Sequence, residues 1–202
     1  NVDQLLAVNG ANAAMISHAG RASAASSKPM TLRKMLLRRS SPLSDRNVIY
    51  SFHFYEPKNF THQGATWGWN LWPLFRDWPY PSSPDAVLPL LSQHPPEAKE
   101  HLLYYGDQRW DAAKLDRLIR AAADWGRQHG VTVWCSEFGA YRYGIRAEHR
   151  LPWLRDVRGS LERAGLGWSV WDYAGEFGLV SGEAGQRVLD REAALALGLN
   201  PS

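Results

Sequence analysis

From Asn47 onward the chain alternates strand-like and helix-like segments, and this alternation restricts the fold more than any other feature. Val48-Ile-Tyr-Ser-Phe-His-Phe-Tyr55 is β-branched and aromatic throughout and stops at Pro57, which reads as a buried strand. A helix is predicted from Asp111, with Leu115, Leu118, Ile119, Ala122 and Trp125 on one face and His129-Gly130 as its stop. Val131–Glu137 follows at once as a strand apolar on both faces, the mark of a parallel sheet covered by helices. A second helix spans about 147–164, with Leu151, Leu154, Val157 and Leu161 inward, and Leu166–Asp172 is the next strand. Strand, helix, strand, helix, strand demands right-handed crossovers and an α/β fold. A full eightfold barrel takes about 250 residues, whereas this chain has 202 and three clear strands. The expected architecture is therefore an incomplete (β/α) TIM-like barrel with parallel strands and about three main helices. Phe177–Val180 and Gln186–Leu189 suit a small hairpin, and Glu192–Leu197 a last helix.

Two stretches read differently. Residues 1–46 form an atypical Ala/Ser/Arg-rich segment with little apolar periodicity, set apart from a partial barrel domain over 47–202. Within that segment Ala11–Ser17 suits a short strand or helix, and Leu32, Met35, Leu36 and Arg39 have helical spacing. Residues 56–106 hold eight prolines together with Trp67, Trp69, Trp72, Phe75, Trp78 and Tyr80. They read as one long loop, and loops of that length are usually functional.

Composition narrows the function classes. No apolar run approaches the roughly 20 residues of a membrane span, so no membrane partner is expected. The single Cys135 cannot form an internal disulfide. Residues 1–47 carry seven basic and two acidic side chains, the remaining 155 carry 16 and 18, so the basicity is local. A nucleic-acid partner would rest on Arg33-Lys34 and Arg38-Arg39 alone, and none is expected. His94 and His101 lack a third ligand at metal-binding spacing, so no metal is expected. Cys135-Ser136 lies outside any Gly-x-Ser-x-Gly elbow, no phosphate-cradling glycine loop is present, and no cofactor is implied. No basic, apolar, small-residue signal series follows Asn1.

Three strand ends carry side chains suited to chemistry: His53 and Tyr55, Glu137, and Trp171 with Asp172. In parallel α/β folds sites assemble at that edge, so these residues are expected to converge. Glu137 is the most informative, because a carboxylate ending an apolar strand costs several kcal/mol if buried unpaired. It faces a cavity, water or a partner, or else an ion pair with Arg142 or Arg146. Ten tryptophans add flat apolar faces, which serve equally as core and as platforms for sugar rings.

Taken together, His53-Phe-Tyr-Glu-Pro57, Thr61-His-Gln-Gly-Ala-Thr-Trp67, Trp134-Cys-Ser-Glu-Phe-Gly139 and Gly167-Trp-Ser-Val-Trp-Asp-Tyr173 resemble glycoside hydrolase family 5, the bacterial cellulase family of retaining enzymes. The resemblance covers roughly residues 47–199, the last part of that family's barrel. It implies that Glu137 is the catalytic nucleophile, that His53 and Tyr55 hold nucleophile and sugar, and that Trp171 lies under the sugar next to the cleaved bond. It implies internal cleavage of a β-1,4-glucan outside the cell, secreted or periplasmic. Trp67, Trp69, Trp72 and Trp78 are candidates for more distant sugar stacking, and Asp172 for substrate binding.

The family's acid/base is the glutamate of an Asn-Glu-Pro type motif on a strand before the His-Phe-Tyr strand. Residues 1–55 contain no Glu at all. Three explanations stay open: another carboxylate serves (Glu56, or Asp172 or Glu176); a second copy of the chain supplies it, as a homodimer completing the barrel; or the chain is a catalytically impaired, carbohydrate-binding remnant.

Overall fold

The computed structural model of the chain describes residues 15–17, 41–45 and 47–200. The helix expected around Leu32–Arg39 lies outside the described residues. Four parallel strands form one sheet in the order β1 (Met15–Ser17), β2 (Ile49–Phe54), β3 (Thr132–Phe138) and β4 (Gly167–Val170). The sheet thus begins inside the segment that composition sets apart, with Met15 opposite Ile49. Helices α1 (Lys58–Thr61), α2 (Pro84–Val87) and α3 (Pro96–Asp107) follow β2, and α4 (Ala112–His129) leads into β3. Then α5 (Ala147–Arg163) connects β3 to β4, a two-residue-a-side antiparallel hairpin pairs β5 (Val180–Ser181) with β6 (Val188–Leu189), and α6 (Arg191–Ala196) ends the fold.

The boundaries follow from local chemistry. Asp111 caps α4 by accepting from Lys114 N at 2.7 Å, and Gly130 closes the helix in the left-handed conformation at φ 63°. Buried Leu115, Ile119, Ala122, Ala123 and Trp125 face the sheet, where Trp125 meets Tyr50 edge-on at 5.0 Å. On α5, Trp153, Leu154, Val157 and Leu161 are buried, and Trp153 packs on Phe54, Phe60 and Phe138.

The Pro-rich excursion is not one loop. It folds onto the main core, with Phe60, Phe75, Trp78, Tyr105 and Leu102 all buried in the same cluster as Phe54, Leu115, Phe138 and Trp153. Gln63 clamps Trp78 through both its amide groups, at 2.7 and 3.3 Å, and the Tyr105 hydroxyl donates to Pro79 O at 2.6 Å. Helix α3 buries Ala98, Leu102, Tyr105 and Gly106 at helical spacing, with Pro96 at a first-turn position that tolerates proline. Eight prolines hide this periodicity from a reading by eye. Of the tryptophans considered for sugar stacking, Trp78 is a core residue with no exposed surface, stacked on Phe75 at 4.3 Å.

The sheet departs from regular pairing near the end of β3. Phe52 lies opposite Cys135, yet His53 lies opposite Glu137, so β3 carries one extra residue relative to β2 at Ser136. The β3–β4 register slips in the same stretch, with Cys135 opposite Trp168 and Phe138 opposite Val170. A bulge of this kind turns a side chain away from strict alternation.

Candidate active site

The bulge sets Glu137 beside the end of β2. Its Oε2 accepts from the Tyr55 hydroxyl at 3.0 Å and lies 3.1 Å from His53 Nδ1. Burial, and then the Glu137 carboxylate, push the Tyr55 phenol well above its usual range, so the hydroxyl keeps its proton and donates. Both partners use one carboxylate oxygen. Glu137 is partly open to solvent rather than sealed. The alternative of an arginine clamp is not what the fold adopts: Arg146 pairs with Asp77 and Glu148, each at 3.2 Å, and Arg142 donates to Val180 O at 2.9 Å. The buried Cys135 thiol, pushed up to about 12 by burial, stays protonated and donates to Glu137 O at 3.4 Å.

Trp171 follows β4 directly and is 48% exposed, with its backbone N–H bonded to Phe138 O at 2.8 Å. Gly139 permits that approach, because a Cβ there would lie 2.3 Å from Trp171 O. Asp172, joined to Trp171 by a cis peptide, turns its carboxylate into its own loop: a Cβ on Gly175 would lie 2.0 Å from Oδ2, and Oδ1 is buried without a hydrogen bond. The backbone of Glu56 is anchored to the helix layer, its carbonyl accepting from Trp153 Nε1 at 3.1 Å. Glu176 binds Trp67 Nε1 and accepts from the Tyr141 hydroxyl at 3.3 Å. Trp67 is 43% exposed and belongs to the Tyr141–Phe177 aromatic group that also carries Tyr55. Trp69, 37% exposed, stands apart over Phe75 and His101.

His62, within the Thr61–Trp67 motif but given no role there, is the hub of this group. It stacks on Trp72 at 4.4 Å and meets Tyr55, Trp67 and Phe177 edge-on at 5.3, 5.6 and 5.4 Å. Its Nδ1 lies 2.9 Å from Thr61 Oγ1, which donates to Tyr55 O at 2.7 Å, so the pair pins the end of β2. Burial lowers the His62 pKa to about 4, so the ring is neutral in the fold. The unfolded ring titrates near the usual 6.5, so the unfolded chain binds more protons between those values and stability falls as pH drops through that window. The shift corresponds to about 3 kcal/mol at the acid end. Urea unfolding at pH 7 and pH 4.5 is expected to show a smaller acid loss for His62→Phe than for the parent. An equal loss in both proteins would disprove the assignment.

The family model described as Cellulase (glycosyl hydrolase family 5) matches residues 1–177. The chain belongs to glycosyl hydrolase family 5. Among relatives, Endoglucanase 3 of Fibrobacter succinogenes is 29% identical over 169 residues, 81% of this chain and 25% of its own length. Endoglucanase C of Acetivibrio thermocellus is 25% identical over 137 residues, covering 68% of this chain and 39% of the relative. Among solved structures, a hyperthermophilic endo-β-1,4-glucanase in complex with substrate aligns with a TM-score of 0.58 at 26% identity, over 82% of this chain and 44% of that one. This family 5 chain therefore spans less than half the length of the proteins it matches, and its four-stranded sheet is part of their barrel.

His53, Tyr55 and Glu137 meet at one edge of that sheet, and Trp171 follows the end of the neighbouring strand β4, bonded through its backbone to Phe138 O. Tyr141, Phe177 and His62 join them without having been singled out in the sequence. Tyr141 and Phe177 closely follow the Glu-Phe-Gly and Trp-Asp-Tyr motifs, and that adjacency is the signal in the sequence that marks them. His94 is spoken for by the core, its Nε2 accepting from Trp78 Nε1 at 3.1 Å and its Nδ1 lying 2.9 Å from Leu90 O. Among the described residues no three His, Cys, Asp or Glu side chains gather at metal-binding distance, and no helix is long and apolar enough to cross a membrane.

Proposed function

We propose that this chain is a retaining β-1,4-glucan hydrolase in which Glu137 is the nucleophile. The observation that carries the reading is the double hold on Glu137 Oε2 by His53 and Tyr55. With that oxygen engaged, Oε1 attacks the anomeric carbon, the glycosidic C–O bond breaks, and an acid protonates the leaving oxygen. Water, deprotonated by that same acid's conjugate base, then cleaves the glycosyl ester and returns Glu137 as carboxylate. Trp171 supplies the flat face under the sugar at the cleaved bond, with Trp67 further along. The reading needs no cofactor. Cellulose is an extracellular polymer, so the site of action is outside the cytoplasm. Glu137→Gln tests the assignment: hydrolysis of soluble cellulose is expected to vanish while oligosaccharide binding persists. Cleavage that survives the change refutes it, and binding with no cleavage by either protein would make the chain a binding remnant.

A retaining site requires its acid about 5–5.5 Å from the nucleophile. The hydrogen-bond partners of Glu137 are a histidine and a tyrosine, and Glu176 is engaged by Trp67 and Tyr141. We propose that a second copy of the chain supplies the acid. Supporting this, β1 and β4 each have one neighbour among the described strands, and unpaired parallel edges seek partners. Sedimentation at micromolar concentration is expected to give twice the 22.8 kDa of one chain. A fully active monomer would rule this out.

A further inference from the structure

We propose that the crevice beside Tyr143 is a distal subsite that takes a neutral glucosyl unit of a long β-glucan, several units away from the bond at Glu137. This rests on the hydrolase reading above. The crevice, about 210 Å³, is lined by Arg76, Asp77, Tyr143, Gly144, Ile145 and Arg146. Tyr143 is 66% exposed, more than any other large hydrophobic side chain described. One edge contact holds it against Tyr141 at 5.7 Å, and the Arg142 guanidinium lies over the ring at 5.6 Å from its centre. Tyr141 in turn lies 6.4 Å from Trp67 and 5.8 Å from Phe177, which lies 5.8 Å from Tyr55. Two exposed rings, Trp67 and Tyr143, thus flank buried Tyr141 on a wall that leads from Tyr55, the hydrogen-bond donor of Glu137.

The crevice is built rigidly. A Cβ on Gly144 would lie 1.9 Å from Gln63 O, and one on Gly64, at φ 82°, would lie 2.8 Å from Gly144 Cα, so the two straps touch backbone to backbone. Gln63 is itself clamped to the core through Trp78. The backbone next to the ring is therefore packed against the core before any ligand arrives. Charge defines the ligand. Arg146 is shared by Asp77 and Glu148, so the rim alternates in sign, while Arg76 has no ion-pair partner among the described residues and lies near the Tyr141 hydroxyl. The rim sets guanidinium donors beside the Asp77 carboxylate acceptor, a mixed set that the vicinal hydroxyls of a sugar, each both donor and acceptor, can satisfy.

The test uses calorimetric titration of Glu137→Gln, alone and combined with Tyr143→Ala, with cellotriose and cellohexaose. Removing the ring is expected to weaken cellohexaose binding about five-fold, the worth of one aromatic contact, and to leave cellotriose unaffected. Tyr143→Phe keeps the platform and is expected to bind cellohexaose as the parent does. Equal cellohexaose affinity with and without Tyr143 overturns the subsite while cellotriose binding leaves the hydrolase reading standing. Failure of either sugar to bind any of the proteins overturns both. Because Tyr143 is exposed, unchanged thermal unfolding of the variants confirms that the fold is intact.

Discussion

Glu137→Gln is expected to lower kcat on soluble cellulose by about 10⁴-fold or more, the scale set by loss of a nucleophile, with oligosaccharide affinity nearly unchanged. Glutamine keeps the shape of the side chain, and its amide oxygen still accepts from Tyr55, so the variant isolates the carboxylate's chemistry from its structural role. A slow 2-deoxy-2-fluoro glycoside of cellobiose sharpens the test, since it glycosylates the nucleophile, expelling its aglycone, and then stalls. Mass spectrometry of the parent is expected to place the added sugar on the peptide holding Glu137. The label should be absent from the variant. A label on Glu56, Asp172 or Glu176, or activity that survives the amide, would move the nucleophile elsewhere. The two readouts respond to different faults: a misfolded variant loses binding as well as turnover, whereas a wrong assignment loses neither.

Much of this site was legible because strand ends in a parallel sheet are confined to one edge. Once Val48–Tyr55, Val131–Glu137 and Leu166–Asp172 read as strands alternating with helices, His53, Glu137 and Trp171 had to lie at the same edge. What period-2 alternation does not carry is the extra residue at Ser136. Without it His53 would face Ser136, and the pairing with Glu137 would be lost. The excursion after Pro57 failed for a different reason. Its prolines satisfy helix starts at Pro84 and Pro96 as readily as they break helices, so their number said little about regular structure. His62 and Arg150 are invisible for a third reason: each is polar in type and buried in fact, and only the tertiary partners that satisfy them distinguish them from surface residues.

Arg150 carries the second large expectation. On α5, among Trp153, Leu154 and Val157, its guanidinium is almost wholly buried, and burial presses its pKa down against the pull of Asp190, leaving it charged. Nε donates to Ala140 O at 3.0 Å, Nη1 to Asp190 at 3.0 Å, and Nη2 to Phe177 O and Gly178 O at 3.1 and 3.3 Å. One planar group thereby ties the loop after Glu137 to the loop behind Tyr55 and to the cap of α6, where Asp190 also accepts from Ala193 N at 3.0 Å. Arg150→Ala leaves a carboxylate and three carbonyls without these donors, at a cost of about 3–5 kcal/mol. For a chain of this size that lowers Tm by about 10 °C. Arg150→Lys is expected to recover only part of the loss, since a single ammonium cannot reach four separated acceptors in the plane of the fork. Added salt should leave the difference intact, because the pair is screened from solvent. A Tm within about 3 °C of the parent for Arg150→Ala would mean that these loops hold their positions without it, and that the edge bearing Glu137 is organised by the sheet alone.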